Sequence, residues 1–136
     1  YASGRFVLNS ELKEELGRHD VDYQKITDLL REVELAGISL DARTLEYTLR
    51  KNLEEKAETF LENPKRQGIL EDIAKGVELV YALPFDVNLR KLQNVGHEVK
   101  INTYPDMQNK SKQGDKDAAA WTELFEGLCG QLNLRI

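Results

Sequence analysis

Apolar residues recur at the i, i+3, i+4 and i+7 spacing of an α-helix along nearly the whole chain. No segment alternates apolar and polar residues in the way that predicts a β-strand. The pattern therefore predicts an all-α fold, a bundle of roughly five to seven antiparallel helices forming a single domain over residues 1–136. The clearest stripes are Ile26, Leu29, Leu30 and Val33; Ala42, Leu45, Leu49, Leu53, Ala57, Phe60 and Leu61; and Ile69, Leu70, Ile73, Val77 and Val80.

Capping residues and glycines predict where the first helices begin and end. Before Gly17 we expect one or two short helices, with Asn9-Ser10 as an internal cap. Asp22 is placed to cap the next helix, and Gly37 follows its last apolar residue. Both ends of that helix are therefore marked by residues that favour helix termini.

The middle of the chain predicts two longer helices separated by a proline. The first runs from about Asp41 to Glu62, and either Ser39 or Asp41 can cap it. In Asn63-Pro64 the asparagine can cap a new helix whose first position the proline fits. This helix is expected to run to Leu83.

A helix corner is predicted at Leu83-Pro84, because proline pushes the preceding residue out of the α region. A new helix is expected to open at Phe85-Asp86, with Asp86 or Asn88 accepting hydrogen bonds from its first turn. Gly96 falls on the inward face of this helix. A glycine there is usually compensated by close approach of a neighbouring backbone.

The residues from 102 to 117 are rich in turn formers and charge, so we expect one long mobile loop before the last helix. The final helix is expected to start near Asp115 or Asp117. Trp121 is the expected anchor of the core. The apolar side of this helix carries Trp121, Leu124, Phe125, Leu128 and Leu132.

The charge and composition of the chain indicate which partners and which compartment to expect. A net charge of −5 disfavours a broad phosphate-binding face, so we expect no nucleic-acid partner. No apolar run approaches the roughly 20 residues that span a bilayer, and we expect no membrane partner. The single cysteine, Cys129, favours a buried thiol in a reducing compartment, hence a cytoplasmic protein. The only methionine is Met107, so Tyr1 is expected to be the cut edge of a longer polypeptide.

The residues that carry chemistry do not form a known catalytic or metal-binding pattern. His19 and His97 lie in different predicted elements and match no metal-ligand spacing, so no metal and no cofactor are expected. Glu54, Glu55, Glu58 and Glu62 include pairs one turn apart, but the interleaved Lys51 and Lys56 indicate an exposed face. A catalytic acid needs burial or a like-charge neighbour in a dry cleft. We therefore expect no catalytic residue in these 136 residues.

Four segments, in order along the chain, resemble the helical C-terminal domain of unknown function that is appended to bacterial glycoside hydrolase family 57 proteins. They are Phe6–Leu12, Ile38–Asp41, Leu83–Asn94 and Trp121–Phe125, and the third is the most distinctive. The resemblance implies that the chain follows a catalytic barrel of the amylase and α-mannosidase type. Both catalytic acids of that barrel would lie upstream, outside these residues, and no catalytic position carries over.

Four polar residues around the predicted corner form the candidate site: Asn88, Gln93, Asn94 and His97. Two roles are open for this polar cluster. It can fix the helix corner through hydrogen bonds to the backbone, or it can dock on an upstream domain of the same polypeptide. We favour the structural role, because buried amides usually support the scaffold.

The expected function is therefore that of a non-catalytic accessory domain. It predicts one exposed apolar patch near the cut edge, involving Tyr1 and Phe6, through which the fragment would self-associate. The alternative is a self-contained helical module that binds a protein partner in an amphipathic groove elsewhere. Direct carbohydrate binding would need exposed aromatic rings, for which the candidates are Tyr47, Tyr81, Phe85 and Tyr104.

Overall fold

The computed structural model of the protein describes residues 2–136, with side chains from Gly4 onward. This part of the chain contains seven α-helices and no strand, as the sequence predicts for an all-α bundle. The helices are α1 (Ala2–Leu16), α2 (Tyr23–Leu35), α3 (Ala42–Glu62), α4 (Gln67–Ala82), α5 (Arg90–Asn102), α6 (Tyr104–Lys112) and α7 (Lys116–Gln131).

The described residues fall into two compact units. Unit 1 contains the residues up to Asn52 together with Leu79–Asn88, and unit 2 contains Leu53–Glu78 and Leu89–Ile136. The helices α3 and α4 each contribute residues to both units. The prediction of one domain over residues 1–136 stays a prediction.

In unit 1, α2 begins and ends where the sequence predicts. The side chain of Asp22 accepts a hydrogen bond from the N–H of Lys25, which satisfies a free donor of the first turn. At the other end Gly37 has a φ of +65°, and the N–H of Ile38 donates to the carbonyl of Val33 at 3.0 Å. This is the Schellman arrangement, in which glycine takes the left-handed conformation without a Cβ penalty.

The helix α1 is continuous, so the prediction of an internal cap at Asn9-Ser10 is wrong. Asn9 uses its side chain on another segment instead. Its Oδ1 accepts a hydrogen bond from the N–H of Asp41 at 2.7 Å, and its Nδ2 donates to the carbonyl of Ser39 at 3.1 Å. An asparagine side chain can cap its own helix or bond to another segment. The sequence does not distinguish these two roles, because the choice depends on which segment packs beside the helix.

The core of unit 1 is built from stripes on four helices. Its buried apolar residues include Leu12 and Leu16 of α1, Ile26, Leu29 and Val33 of α2, Leu45 and Leu49 of α3, and Leu79, Val80 and Leu83. Asn52, which is 9% exposed, donates through Nδ2 to the carbonyls of Leu16 and Arg18, both at 2.8 Å. These bonds satisfy carbonyl groups at the end of α1 that lack helical partners.

The predictions that a new helix begins directly at Pro64 and directly after Pro84 are both wrong. Asn63 does not cap a helix at Pro64, because residues 63–66 form a turn closed by the Arg66 N–H and the Asn63 carbonyl, and α4 begins only at Gln67. After Pro84 the chain stays non-helical until α5, whose N-cap is Leu89 without a side-chain hydrogen bond.

The failure of the predicted cap at Asp86 or Asn88 has a physical reason within unit 1. The backbone N–H of Asn88 donates to Oε2 of Glu46 at 3.0 Å, so this residue is held by α3 and not at the first turn of a helix. The predicted end of α4 is correct to within one residue, since the helix ends at Ala82 and Leu83 is buried.

The predicted mobile loop from 102 to 117 is also wrong, because α6 occupies most of it. Tyr104 and Met107, one turn apart, are both buried, and Pro105 lies in the first turn where its missing N–H costs nothing. Two buried residues among polar neighbours make a stripe too short to stand out in the sequence. The start of α7 near Asp115 is as predicted, and Asp115 caps the helix by accepting a hydrogen bond from the N–H of Ala118 at 3.0 Å.

Trp121 anchors the core of unit 2. It is 1% exposed, stacks on Phe125 with 5.0 Å between ring centroids, and donates through Nε1 to the carbonyl of Pro64 at 2.8 Å. The inward position of Gly96 is as predicted, but its close neighbour is a side chain and not a backbone. A Cβ added there would lie 2.8 Å from Cδ1 of Leu134.

Candidate functional site

Three of the four predicted site residues lie on α5, in unit 2. Gln93 is half-buried, and its Nε2 donates to the carbonyl of Leu132 at 3.1 Å, just after the end of α7. Asn94 and His97 are exposed. Within the described chain, no hydrogen bond joins Gln93, Asn94 and His97 to one another. Gln93 therefore holds the C-terminal segment, while Asn94 and His97 present polar groups to solvent.

The fourth residue, Asn88, belongs to unit 1. Its backbone N–H is bonded to Glu46, and the same carboxylate lies 3.1 Å from Nε of Arg50. The corner residue is thus fixed through its backbone by a side chain of α3. The choice between a scaffolding and a docking role for the polar cluster stays a prediction.

A groove of about 550 Å³ runs beside α1 in unit 1. Phe6, which is 73% exposed, forms one wall, and Leu45 lies at the other side. Arg5 and Lys13 contribute positive charge to the rim. Val7, the next residue on α1, is 49% exposed. Of the two residues named for the predicted apolar patch, Phe6 is exposed and Tyr1 lies outside the described residues, so the patch stays a prediction.

A second groove in unit 1 has a volume of about 560 Å³ and is more apolar. Its walls come from α2, the start of α3 and the segment that follows α4. The apolar lining includes Leu30, Ile38, Leu40, Ala82, Pro84 and Phe85. Arg31 and Glu34 supply one charge of each sign.

In unit 2 a groove of about 490 Å³ lies between α4 and α7. The lining includes Glu71, Ala74, Ala120, Glu123, Leu124 and Gly127. Small side chains form its centre, and both charged residues are acidic. The sequence pattern gave no sign of this groove, because alanine and glycine do not stand out in a helical stripe.

Two charged residues are buried against expectation. Lys56 was predicted on an exposed face, but it is 7% exposed. Glu15 is 4% exposed and pairs with Nε of Arg18 and Nζ of Lys25, each at 3.2 Å. The available signal was its place between Leu12 and Leu16 on the core side of α1. A buried carboxylate needs such partners because desolvation is otherwise costly.

Two buried ionisable groups of unit 2, Tyr104 and Cys129, lie near the carboxylate of Glu126. Burial first, and then the hydrogen bond to Glu126 and the charge of that carboxylate, raise the pKa of Tyr104 to about 12. Burial also raises the pKa of the Cys129 thiol to about 11. The buried thiol is as predicted, and at neutral pH it stays protonated, the form that is a poor nucleophile.

The four aromatic residues considered for carbohydrate binding have different surroundings. Tyr47 and Tyr81 are 53% and 60% exposed, Phe85 is half-buried, and Tyr104 is buried. Arg50 lies over the ring of Tyr47, with 5.3 Å between Cζ and the ring centroid. Tyr104 is therefore excluded as an open stacking platform.

Two further kinds of feature, a metal centre and a membrane-spanning helix, are not found among the described residues. Among the described residues, no three His, Cys, Asp or Glu side chains are grouped so that they could hold a metal ion. None of the helices in this part of the chain has both the length and the apolar character needed to cross a membrane. Comparison with known proteins gives no match to a protein-family model, a curated protein or a solved structure. The resemblance to the family 57-associated domain stays a prediction.

Proposed function

We propose that the chain is a non-catalytic accessory domain of a cytoplasmic, glycoside hydrolase family 57-type enzyme, and that it docks on the catalytic domain of the same polypeptide. The observation that carries the proposal is the apolar ridge of α1, where Phe6 and Val7 are 73% and 49% exposed. Covering a phenylalanine side chain contributes about 1.5–3 kcal/mol, so an adjacent pair of this kind favours contact with another surface.

The surroundings of this ridge suit a domain interface. Arg5, Lys13 and Asp41 line the adjoining groove, so polar groups border the apolar residues. An apolar centre with a polar rim is the usual anatomy of a protein interface. The ridge also belongs to Phe6–Leu12, one of the segments that resemble the family 57-associated domain.

The segment with the strongest resemblance, Leu83–Asn94, supports a structural part in this proposal. Leu83 is buried, and Gln93 is bonded to the carbonyl of Leu132. Residues used in this way stabilise helices and supply no reacting group. In this proposal the carbohydrate chemistry belongs to the catalytic domain that precedes the chain.

A self-contained interaction module is the second candidate. The observation in its favour is the apolar groove lined by Leu30, Leu40 and Phe85, which has the character of a site for an amphipathic helix. The two functions differ in the surface that is used. An accessory domain contacts its neighbour through Phe6, and a module binds its partner through Phe85.

The test begins with the complete reading frame, in which the proposal expects a family 57-type barrel upstream of residue 1. The barrel and this chain are then prepared as separate polypeptides, and their affinity is measured by calorimetry. Phe6→Ser is expected to weaken binding at least about tenfold, since it removes most of the apolar ridge.

Ile101→Ser serves as the matched control, because Ile101 is also an exposed apolar residue, 58% exposed, and belongs to α5 and not to the ridge on α1. The control is expected to bind as the wild type does. A reading frame without a barrel would exclude the accessory role. Binding that survives Phe6→Ser but is lost in Phe85→Ser would instead support the interaction module.

A further inference from the structure

The groove between α4 and α7 in unit 2 is built from two regular stripes. On α4, Gln67, Glu71 and Ala74 follow the i, i+4, i+7 spacing. On α7, the lining includes Ala120 and, one turn further on, Leu124, followed by Gly127. Residues with this spacing lie along one face of a helix, so both walls run the length of a groove and do not form an isolated pit.

Gly127 is the unusual residue in this groove. It lies inside α7, one turn before the last residue Gln131, and glycine lowers the stability of a helix interior. A Cβ atom added to Gly127 would meet nothing within 4 Å. No packing contact of the described chain therefore explains a glycine here, whereas close approach of a second backbone from outside would.

Gly130 provides an internal comparison. A Cβ there would also meet nothing within 4 Å, but Gly130 lies at the end of α7, where its carbonyl accepts from the N–H of Asn133 at 3.2 Å. Gly130 is itself a helical residue, because the left-handed position that ends α7 is taken by Asn133 with a φ of +60°. Gly130 does not line the groove, so it is a matched glycine of the same helix outside the proposed site.

The rest of the lining fits a helix in size and charge. Ala74 and Ala120 contribute small side chains to the lining, and the half-buried Leu124 offers an apolar contact. Small residues allow two helix axes to approach to the lower end of the usual range of about 8–10 Å. Glu71 and Glu123 are the charged residues of the lining, and both are exposed acids.

We propose that this groove binds an amphipathic helix of a partner protein, one that lays small and apolar residues on Gly127 and Ala120 and carries Lys or Arg beside Glu71 and Glu123. The net charge of −5 favours the same class of partner, because it attracts basic segments over a distance. It also disfavours a second acidic copy of this chain as the occupant. The interaction is independent of the accessory role proposed for α1.

The first test uses two designed helical peptides of about 18 residues, a length at which alanine-rich helices form in water. Both have alanine and leucine on one face, and they differ in carrying lysine or glutamate beside that face. Affinity for the complete chain is measured by fluorescence anisotropy at low and high salt. The lysine peptide is expected to bind at least about tenfold more tightly than the glutamate peptide, and less tightly in high salt. Equal affinities would overturn the proposal.

The second test separates the groove from the rest of α7. Gly127→Ala is expected to raise the melting temperature, since alanine favours the helix, and to weaken lysine-peptide binding at least about fivefold by blocking backbone approach. Gly130→Ala is the matched control, with no reduction in peptide affinity. Glu71→Gln combined with Glu123→Gln is expected to abolish the preference for lysine. Peptide binding that is the same in wild type and Gly127→Ala, or dimerisation of the chain through this groove, would overturn the proposal.

Discussion

The side chain of Asn9 holds the backbone of Asp41, the residue that immediately precedes α3. Oδ1 of Asn9 accepts a hydrogen bond from the Asp41 N–H at 2.7 Å. Nδ2 donates to the carbonyls of Arg5 and Ser39 at 2.8 Å and 3.1 Å. One amide therefore satisfies three backbone groups, and in unit 1 it fixes the connection from α2 to α3 against α1.

Asn9→Ala is expected to lower the free energy of unfolding by about 1–2 kcal/mol, because it removes three hydrogen bonds to backbone groups. Urea denaturation of the complete chain measures the effect. Ser10→Ala, at the exposed neighbouring position, is the control and is expected to stay within about 0.5 kcal/mol of wild type. Equal midpoints for Asn9→Ala and wild type would show that the bridge does not stabilise the fold.

Gly76 of α4 faces Leu53 of α3 so closely that an added Cβ atom would overlap Cδ2 of the leucine. Both residues are buried in unit 2. Gly76→Ala is therefore expected to lower stability by about 1–3 kcal/mol through overpacking, as measured by urea denaturation. Gly68→Ala, in the same helix but facing open space, should not destabilise the chain.

The leucine also provides a coupling test. If overlap with Leu53 causes the loss, Gly76→Ala is expected to cost less in a Leu53→Ala background than in wild type. Strict additivity of the two changes would contradict this explanation. The sequence does not predict this role of Gly76, because the neighbour of an inward glycine is known only from the packing of the helices.

The helical stripes were predictable because burying one face requires apolar residues at a fixed spacing. For the same reason Asp22 and Asp115 were predictable as caps, since their hydrogen bonds stay within one turn. By contrast, the short helix α6 was missed, because Tyr104 and Met107 alone form its buried side. An apolar stripe predicts a helix when its spacing repeats over several turns, and α6 is too short for such a repeat.

The candidate site was less predictable than the fold, since its features depend on residues far apart in the chain. Gln93 lies 39 positions from its partner Leu132. Glu15 is buried on α1, where it pairs with Lys25 of α2. The groove at Gly127 is lined by residues of two helices, α4 and α7. The packing of the helices brings these groups together, so the spacing of residues in the sequence does not by itself reveal the contacts.

The stability of unit 2 is expected to depend on pH through Tyr104. Its pKa is raised to about 12, first by burial and then by Glu126, whereas an unfolded tyrosine titrates near pH 10. The folded state therefore holds this proton more tightly. The associated stability is fully present below about pH 10 and is lost as the pH rises towards about 12.

Tyr104→Phe is expected to give a shallower fall in urea midpoint across this window, because the group that titrates has been removed. Tyr47→Phe, at a position that is 53% exposed, is the control and should keep the wild-type slope. Absorbance of tyrosinate offers an independent reading, in which one of the five tyrosines titrates last in the folded chain. Identical slopes for all three proteins would contradict the assignment to Tyr104.

The scaffolding and docking roles of the polar cluster can be separated at two of its members on α5, Gln93 and Asn94. Gln93→Ala is expected to lower the melting temperature, at a cost of about 1 kcal/mol, because the bond from Nε2 to the Leu132 carbonyl is lost. Asn94→Ala, next in sequence but exposed, is expected to melt as wild type. Calorimetry of the complete chain compares them. An unchanged melting temperature in Gln93→Ala would exclude the structural role of Gln93. A large drop in Asn94→Ala would show that the exposed Asn94 also stabilises the fold.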